Sequence, residues 1–291
     1  MTSTAGQRAA EALGWMSGEV QANGIRQHYW RTGEGSGKPG LVLAHGATDN
    51  GLCWTRVAKA LEGEWDIVMP DARGHGRSES PEEDYSAGAR AADLAALIRE
   101  LGLERPVVGG HSMGAATTLR LAAERPELVR AAILEDPGLR MGERTGGDWG
   151  RREQEEAEAR RERMRRNAEE AKALGRDGLM ARQRERTPHW HEDEVGPWAD
   201  AKLQVSERFS LARRGQERPD WPELLPRVQC PTLLITADPE RGGIVTPEAV
   251  EEARRLLPSL VARRVDGAGH SIHRDKFEEV LGVVKEFLAG V

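Results

Sequence analysis

Six short apolar runs, spaced so that helical patterns fit between most of them, constrain this chain more than any other feature. They are "LVLAH" (41–45), "DIVMP" (66–70), "PVVGG" (106–110), "AAILE" (131–135), "PTLLITA" (231–237) and "LVARRV" (260–265). Segments such as 88–103 and the Ala- and Leu-rich stretch from 114 to 126 carry helical spacing between them. Strands alternating with helices predict an α/β fold whose mostly parallel sheet is covered on both faces. An earlier segment, 19–32, alternates and turns at Asn23-Gly24, the strongest short hairpin signal a sequence offers.

The rhythm stops between about residue 138 and residue 230, where no strand-like run occurs. That interval reads as an insertion, giving a core of 19–137 and 223–291, an inserted segment of 138–222 and an N-terminal extension of 1–18. Residues 151–175 are dense in Arg and Glu at i,i+4 spacing, which supports a helix but leaves little apolar face to bury, so a solvated helix is expected. Trp190, Trp198, Phe209 and Trp221 supply apolar mass to the same region, to pack the insertion against the core or to line a pocket.

Composition removes several classes of function. A net charge of -6 gives no electrostatic reason to expect a nucleic acid or an anionic membrane surface as partner. The two cysteines, Cys53 and Cys230, are far apart and in no metal-ligand spacing, so a disulfide framework or zinc site is not expected. The first twenty residues lack the apolar core of a secretory signal and no stretch reaches the roughly 20 apolar residues of a membrane span, so a cytoplasmic location is expected. "GEGSGKPG" (33–40) lacks Walker spacing and reads as a loop, and no dinucleotide fingerprint or metal-ligand cluster occurs, so no cofactor is expected.

The chemistry concentrates at "VVGGHSMGAATTLRLA" (107–122), where an apolar run passes through Gly110-His111-Ser112-Met113-Gly114 into a helical pattern. A serine before a helix is ordinarily a cap. A strand, Gly-x-Ser-x-Gly and a helix in succession mean more, because the glycines permit a sharp turn that lifts the hydroxyl above the sheet edge. With "LAHGATDN" (43–50), "DARGHGRS" (71–78) and "GAGHSIHRDKFEEV" (267–280), it makes a sequence that resembles the α/β-hydrolase superfamily over nearly its whole length.

The resemblance implies an eight-stranded α/β-hydrolase sheet with a helical lid inserted between strands six and seven. It implies Ser112 as nucleophile and His270 as the base that takes its proton, because a serine hydroxyl is a weak nucleophile near neutral pH. It nominates the backbone amides of Ala47 and Met113 as oxyanion donors. His45 and His75 lie in glycine-rich loops and are expected to serve local hydrogen bonding; Asp49 and Asn50 are expected to cap the following helix, and Arg73 and Arg77 to be structural pairing residues of their loop.

The third member is open at this level. Most relatives place the acid after the seventh strand, where "TADPERGGIV" offers Asp238 two positions early and Glu240 at the right count before an enlarged loop. Some haloalkane dehalogenases and the zearalenone lactonases place it after the sixth strand, and Asp136 in "AAILEDPG" stands 24 residues after Ser112, the spacing those proteins use. Asp-Pro at both places also favours plain turns, so the order is Asp136, then Asp238, then Glu240.

A hydrolase of a small ester or lactone, working through an acyl-enzyme, is the leading expectation, with Trp190 and Trp198 as pocket-lining candidates. The same triad serves carbon-carbon bond hydrolysis and cofactor-free perhydrolysis, and the same fold hosts small-ligand receptors with little turnover. Haloalkane dehalogenases and epoxide hydrolases of the superfamily use an aspartate at the elbow, so Ser112 disfavours alkyl-enzyme chemistry. Substrate identity and oligomeric state are not set by the sequence.

Overall fold

The apolar runs assemble into one eight-stranded sheet in the computed structural model, which describes residues 4–138, 149–211 and 221–291. Helix α1 (Ala5–Ala12), closed by a Thr4/Gln7 capping box, precedes strands β1 (Met16–Ala22) and β2 (Ile25–Arg31). These two form the expected hairpin, with Asn23 at φ 49° and Gly24 at φ 80°, the left-handed pair that a tight turn between right-twisted strands requires. Strand β3 (Gly40–Ala44), helix α2 (Thr55–Leu61), β4 (Asp66–Pro70), α3 (Ala87–Glu100), β5 (Val107–His111), α4 (Met113–Glu124) and β6 (Ala131–Glu135) follow in alternation.

Among the described residues, three helices are inserted after β6: α5 (Trp149–Arg186), broken at Gly175 with φ 63°, then α6 (Glu192–Leu203) and α7 (Glu207–Leu211). Alternation then resumes with α8 (Trp221–Leu224), β7 (Thr232–Thr236), α9 (Pro247–Leu256), β8 (Leu260–Arg264), α10 (Ile272–Asp275) and α11 (Phe277–Leu288). The strand order is β1-β2-β4-β3-β5-β6-β7-β8, antiparallel at β1/β2 and β2/β4 and parallel elsewhere.

Period-two alternation sends Val42, Val68, Val108, Leu134 and Leu234 to one face, under α3, α4 and α9. Leu41, Leu43, Ile67, Met69, Ile133 and Ile235 go to the other, under α2 and α11. Cys53 and Cys230 are free and buried, and Trp221 packs wholly inside the first layer. Among the described residues no helix is long and apolar enough to cross a membrane.

Within the insertion, Ala171 and Leu179 of α5 meet Ala199 of α6, and Arg176 reaches Asp200 at 2.7 Å. The outer face of α5 is solvated as its charge pattern predicts, with Arg165 bonded to Glu162 and Glu169.

Candidate active site

Three neighbouring strands end together, and each delivers one part of the site. Pairing of Ala44 with Gly110 and of His111 with Glu135 brings the carboxyl ends of β3, β5 and β6 side by side. Residue 112 turns sharply into α4 with Ser112 at φ 51° and ψ −108°, a conformation that is strained for a side-chain-bearing residue. Close packing leaves the motif's outer positions no alternative to glycine: a Cβ on Gly110 would stand 2.4 Å from the Gly114 carbonyl carbon, and one on Gly114 would stand 2.1 Å from the Ala44 oxygen. Ser112 makes no side-chain cap bond to α4, so its hydroxyl is free for another partner.

That partner is His270. Its Nε2 lies 3.0 Å from Ser112 Oγ, and its Nδ1 lies 2.6 Å from Asp136 Oδ2. An ionised carboxylate only accepts, so Nδ1 carries the ring proton and Nε2 presents its lone pair to the serine hydroxyl. Asp136, wholly buried and itself at φ 39°, also accepts from the amides of Ile244 and Val245, which fix its carboxylate from a loop 108 and 109 residues further on.

The other carboxylates considered lie elsewhere. Asp238 accepts from Arg264 at 2.7 Å and from the Gly267 amide at 2.8 Å, so it ties the β7 loop to the segment leading to His270. Glu240 is exposed on the next turn. Asp136 alone of the three is hydrogen-bonded to the imidazole.

Ala47 and Met113 flank the serine from the β3 loop and the first turn of α4, and among the described hydrogen bonds neither backbone amide donates to a protein acceptor. The loop carrying Ala47 is held by two histidines. His45 Nε2 accepts from the Ala72 amide, His75 Nε2 accepts from the Thr48 amide, and Thr48 sits at φ 66°. These bonds tie the two loops together, and each histidine also makes the expected local bond, His45 Nδ1 to the Gly46 carbonyl and His75 Nδ1 to the Arg73 carbonyl.

Asp49 and Asn50 depart from expectation. Asn50 occupies the helix-cap position without a side-chain cap bond and instead donates to Gln204, while Asp49 accepts from Lys202 at 2.9 Å and from Arg274 at 3.0 Å. For Asp49 capping loses because buried Arg274 and half-buried Lys202 offer charge-assisted bonds that a backbone amide cannot match. Burial would raise the Asp49 carboxyl, but Arg274 and Lys202 hold it well below the usual range. Lys202, on α6, also donates to Thr48 O at 3.0 Å and Thr48 Oγ1 at 2.8 Å, so the insertion grips the loop beside the serine. Arg73 pairs with Asp93 within the core, and Arg77 reaches Ser17.

Trp190 ties the insertion to the core, whereas Trp198 packs within the insertion. Trp190 donates to Asp275 at 2.7 Å and lies over the Arg274 guanidinium, and Trp198 packs beside Ala199 with Lys202 over its ring. Nearer the serine, Met113, Tyr85 and Phe209 of α7 form an apolar cluster with Ala47 and Val205. Sequence reasoning missed Lys202 as a neighbour of the site, since it belongs to no motif, whereas Phe209 was among the aromatics expected to pack the insertion against the core or to line a pocket.

A buried layer lies beneath the site. His111 Nε2 donates to the His270 carbonyl at 2.8 Å, and Glu135 accepts from His273 Nδ1 at 2.8 Å. Burial drives His111 down to about 3 from an ordinary 6.5, so it is neutral near pH 7. For Glu135 burial raises the carboxyl, but His273 more than offsets this and brings it to about 2 from 4.5. In both cases the unfolded chain binds the proton first, so acid favours unfolding. Stability carried by His111 is expected to fall as pH drops from about 6.5 towards 3, and that carried by Glu135 as pH drops from about 4.5 towards 2. Thermal unfolding followed by circular dichroism checks this: the midpoint should decline steadily below about pH 6.5, and His111→Gln should flatten the upper part of the decline.

Among the described residues no group of three or more His, Cys, Asp or Glu is arranged to hold a metal. A model of the alpha/beta hydrolase family matches residues 41–283. Over 285 residues the chain is 32% identical to N-formylmaleamate deformylase of Pseudomonas putida, covering 93% of this chain and 96% of that one. Among solved structures, N-formylmaleamic acid deformylase from Pseudomonas putida S16 superposes with a TM-score of 0.72 at 27% identity, covering 92% of this chain and 100% of that one. A malate-bound thermophilic esterase from Thermogutta terrifontis gives 0.71 at 26% identity, covering 94% and 98%.

Proposed function

Because the chain belongs to the alpha/beta hydrolase family, we propose that it is a serine hydrolase cleaving a small carboxylic ester or lactone through an acyl-enzyme on Ser112. The observation that carries this reading is the unbroken hydrogen-bonded chain from Ser112 through His270 to Asp136. Ser112 Oγ attacks the carbonyl carbon while His270 Nε2 takes its proton, and Asp136 stabilises the resulting imidazolium and holds its ring in place. The oxyanion is received by the amides of Ala47 and Met113, each donor contributing about 3 kcal/mol to lowering the barrier. His270 then returns the proton to the leaving oxygen, and a water activated by the same imidazole releases the acid.

The insertion, 138–222, serves as the lid. Its Phe209 meets Met113 and Ala47 in an apolar cluster, which suits an uncharged acyl group, and Trp190 helps fix the lid on the core through Asp275 while Trp198 packs inside the lid. A second reading, cleavage of an N-acyl bond, is favoured by the 32% identity to N-formylmaleamate deformylase, since the same acyl transfer expels nitrogen once His270 protonates it. A panel of p-nitrophenyl esters, aromatic lactones and N-formyl amides, run with wild type and Ser112→Ala, tests both. Serine-dependent turnover of esters and lactones above amides supports the first, the reverse order supports the second, and turnover that survives Ser112→Ala contradicts both.

Lys202 is expected to matter through the loop it grips. Lys202→Met removes the bonds to Thr48 and Asp49 and frees the strained segment next to Ala47. A shift of that amide by roughly 1 Å costs on the order of 10²-fold in rate, so kcat should fall about 10- to 100-fold with KM changed far less. Steady-state kinetics read the split, and Lys202→Arg should recover part of the loss.

A further inference from the structure

A second Ser-His-Asp chain stands on the sheet's antiparallel edge, built from residues the proposed mechanism does not use. Ser17 Oγ on the edge strand β1 lies 2.8 Å from His28 Nε2 on β2, and His28 Nδ1 lies 2.8 Å from Asp71 Oδ2 just after β4. His28 is fully buried and Asp71 2% exposed, whereas Ser17 is open to solvent. Asp71 also accepts from the amides of Gly51 at 2.7 Å and Arg77 at 2.9 Å, which fixes its carboxylate. The imidazole is clamped too, with its backbone amide on Ser78 and its ring edge-on to Trp30.

This clamping sets the tautomer. Asp71 accepts, so His28 Nδ1 carries the proton and Nε2 offers its lone pair to Ser17, whose hydroxyl must donate. The remaining polar contact on Ser17 Oγ is a donor, Arg77 Nη1 at 3.0 Å. A solvent-exposed hydroxyl therefore has a fixed acceptor for its proton, a buried carboxylate behind that acceptor and a guanidinium within reach of its oxygen.

We propose that Ser17 is a second nucleophile, acylated by small activated esters. Its Oγ forms the bond to the acyl carbon as its proton passes to His28 Nε2, with Asp71 stabilising the imidazolium. The tetrahedral intermediate collapses by breaking the bond to the leaving oxygen, which takes the proton from His28, leaving acyl-Ser17 and the free alcohol. Arg77 is a charged donor at Ser17 Oγ, within reach of the oxyanion that forms on the adjoining acyl carbon, where an enclosed hole would offer two preorganised amides, so the reaction is a stoichiometric modification rather than a turnover.

The test uses full-length Ser112→Ala, which removes the nucleophile of the proposed active site, so its outcome is independent of whether that reading holds. The protein is incubated with p-nitrophenyl acetate and analysed by intact mass and peptide mapping. A histidine base contributes about 10²-fold or more, so Ser17 should gain one acetyl group about 10²-fold faster than the exposed Ser36 and Ser259, and S112A/S17A should lose that adduct. His28 is buried and its replacement threatens folding, so the second variant is the exposed Arg77: S112A/R77A should acylate Ser17 about tenfold more slowly with an unchanged circular dichroism spectrum. Acetylation of Ser17 at the rate of Ser36 and Ser259, or an equally fast adduct in S112A/S17A, overturns the proposal.

Discussion

Ser112→Ala is expected to lower kcat on an activated ester by on the order of 10⁶-fold and to abolish the fast burst of leaving group, leaving only the slow single equivalent released as Ser17 is acylated, because no other hydroxyl is hydrogen-bonded to His270 among the described residues. What survives should be the effect of binding and of the proposed oxyanion donors alone, and the burst amplitude measured by stopped flow separates loss of acylation from loss of binding. Folding should be unaffected. The hydroxyl makes no cap bond, and alanine relieves nothing that holds the turn, which is set by the packing of Gly110 and Gly114.

Asp136→Asn is the second large effect, at about 10⁴-fold in kcat. The amide nitrogen can face His270 Nδ1 and stabilise the wrong tautomer, leaving Nε2 protonated and unable to accept from Ser112. The Ile244 and Val245 amides make this worse, since they demand an acceptor on the same group. Asp238→Asn should stay within about twofold of wild type in kcat, because its carboxylate serves Arg264 and the Gly267 amide. Comparable kinetics in the two variants would remove the account of the acid.

Much of the frame was legible in the chain. The apolar runs became strands within a residue or two, and the elbow glycines announced a turn that the packing around Gly114 makes obligatory. Local rules also placed the hairpin, since Asn23-Gly24 needs only its own backbone to specify the turn.

What was not legible is decided by residues far away in sequence. Asp136 and Asp238 both precede proline at a strand end, and only the position of the 244–245 amides and of Arg264 separates their surroundings. Asp49 looked like a cap because its partners Lys202 and Arg274 are 153 and 225 residues away. Lys202 carries no motif, and its place beside Thr48 follows from how α6 docks, which periodicity does not encode. The break at Gly175 within α5 and the seat of Phe209 on His75 belong to the same class.

The most direct measurement is peptide-resolved mass spectrometry of the wild-type protein after brief exposure to a limiting dose of a fluorophosphonate, which reports serines activated by a base. The adduct is expected on the peptide containing Ser112, and to be lost on prior acid denaturation and in Asp136→Asn. Absence of any adduct on Ser112, or labelling that proceeds as fast in Asp136→Asn as in wild type, would contradict an acyl-enzyme mechanism driven through His270 and Asp136.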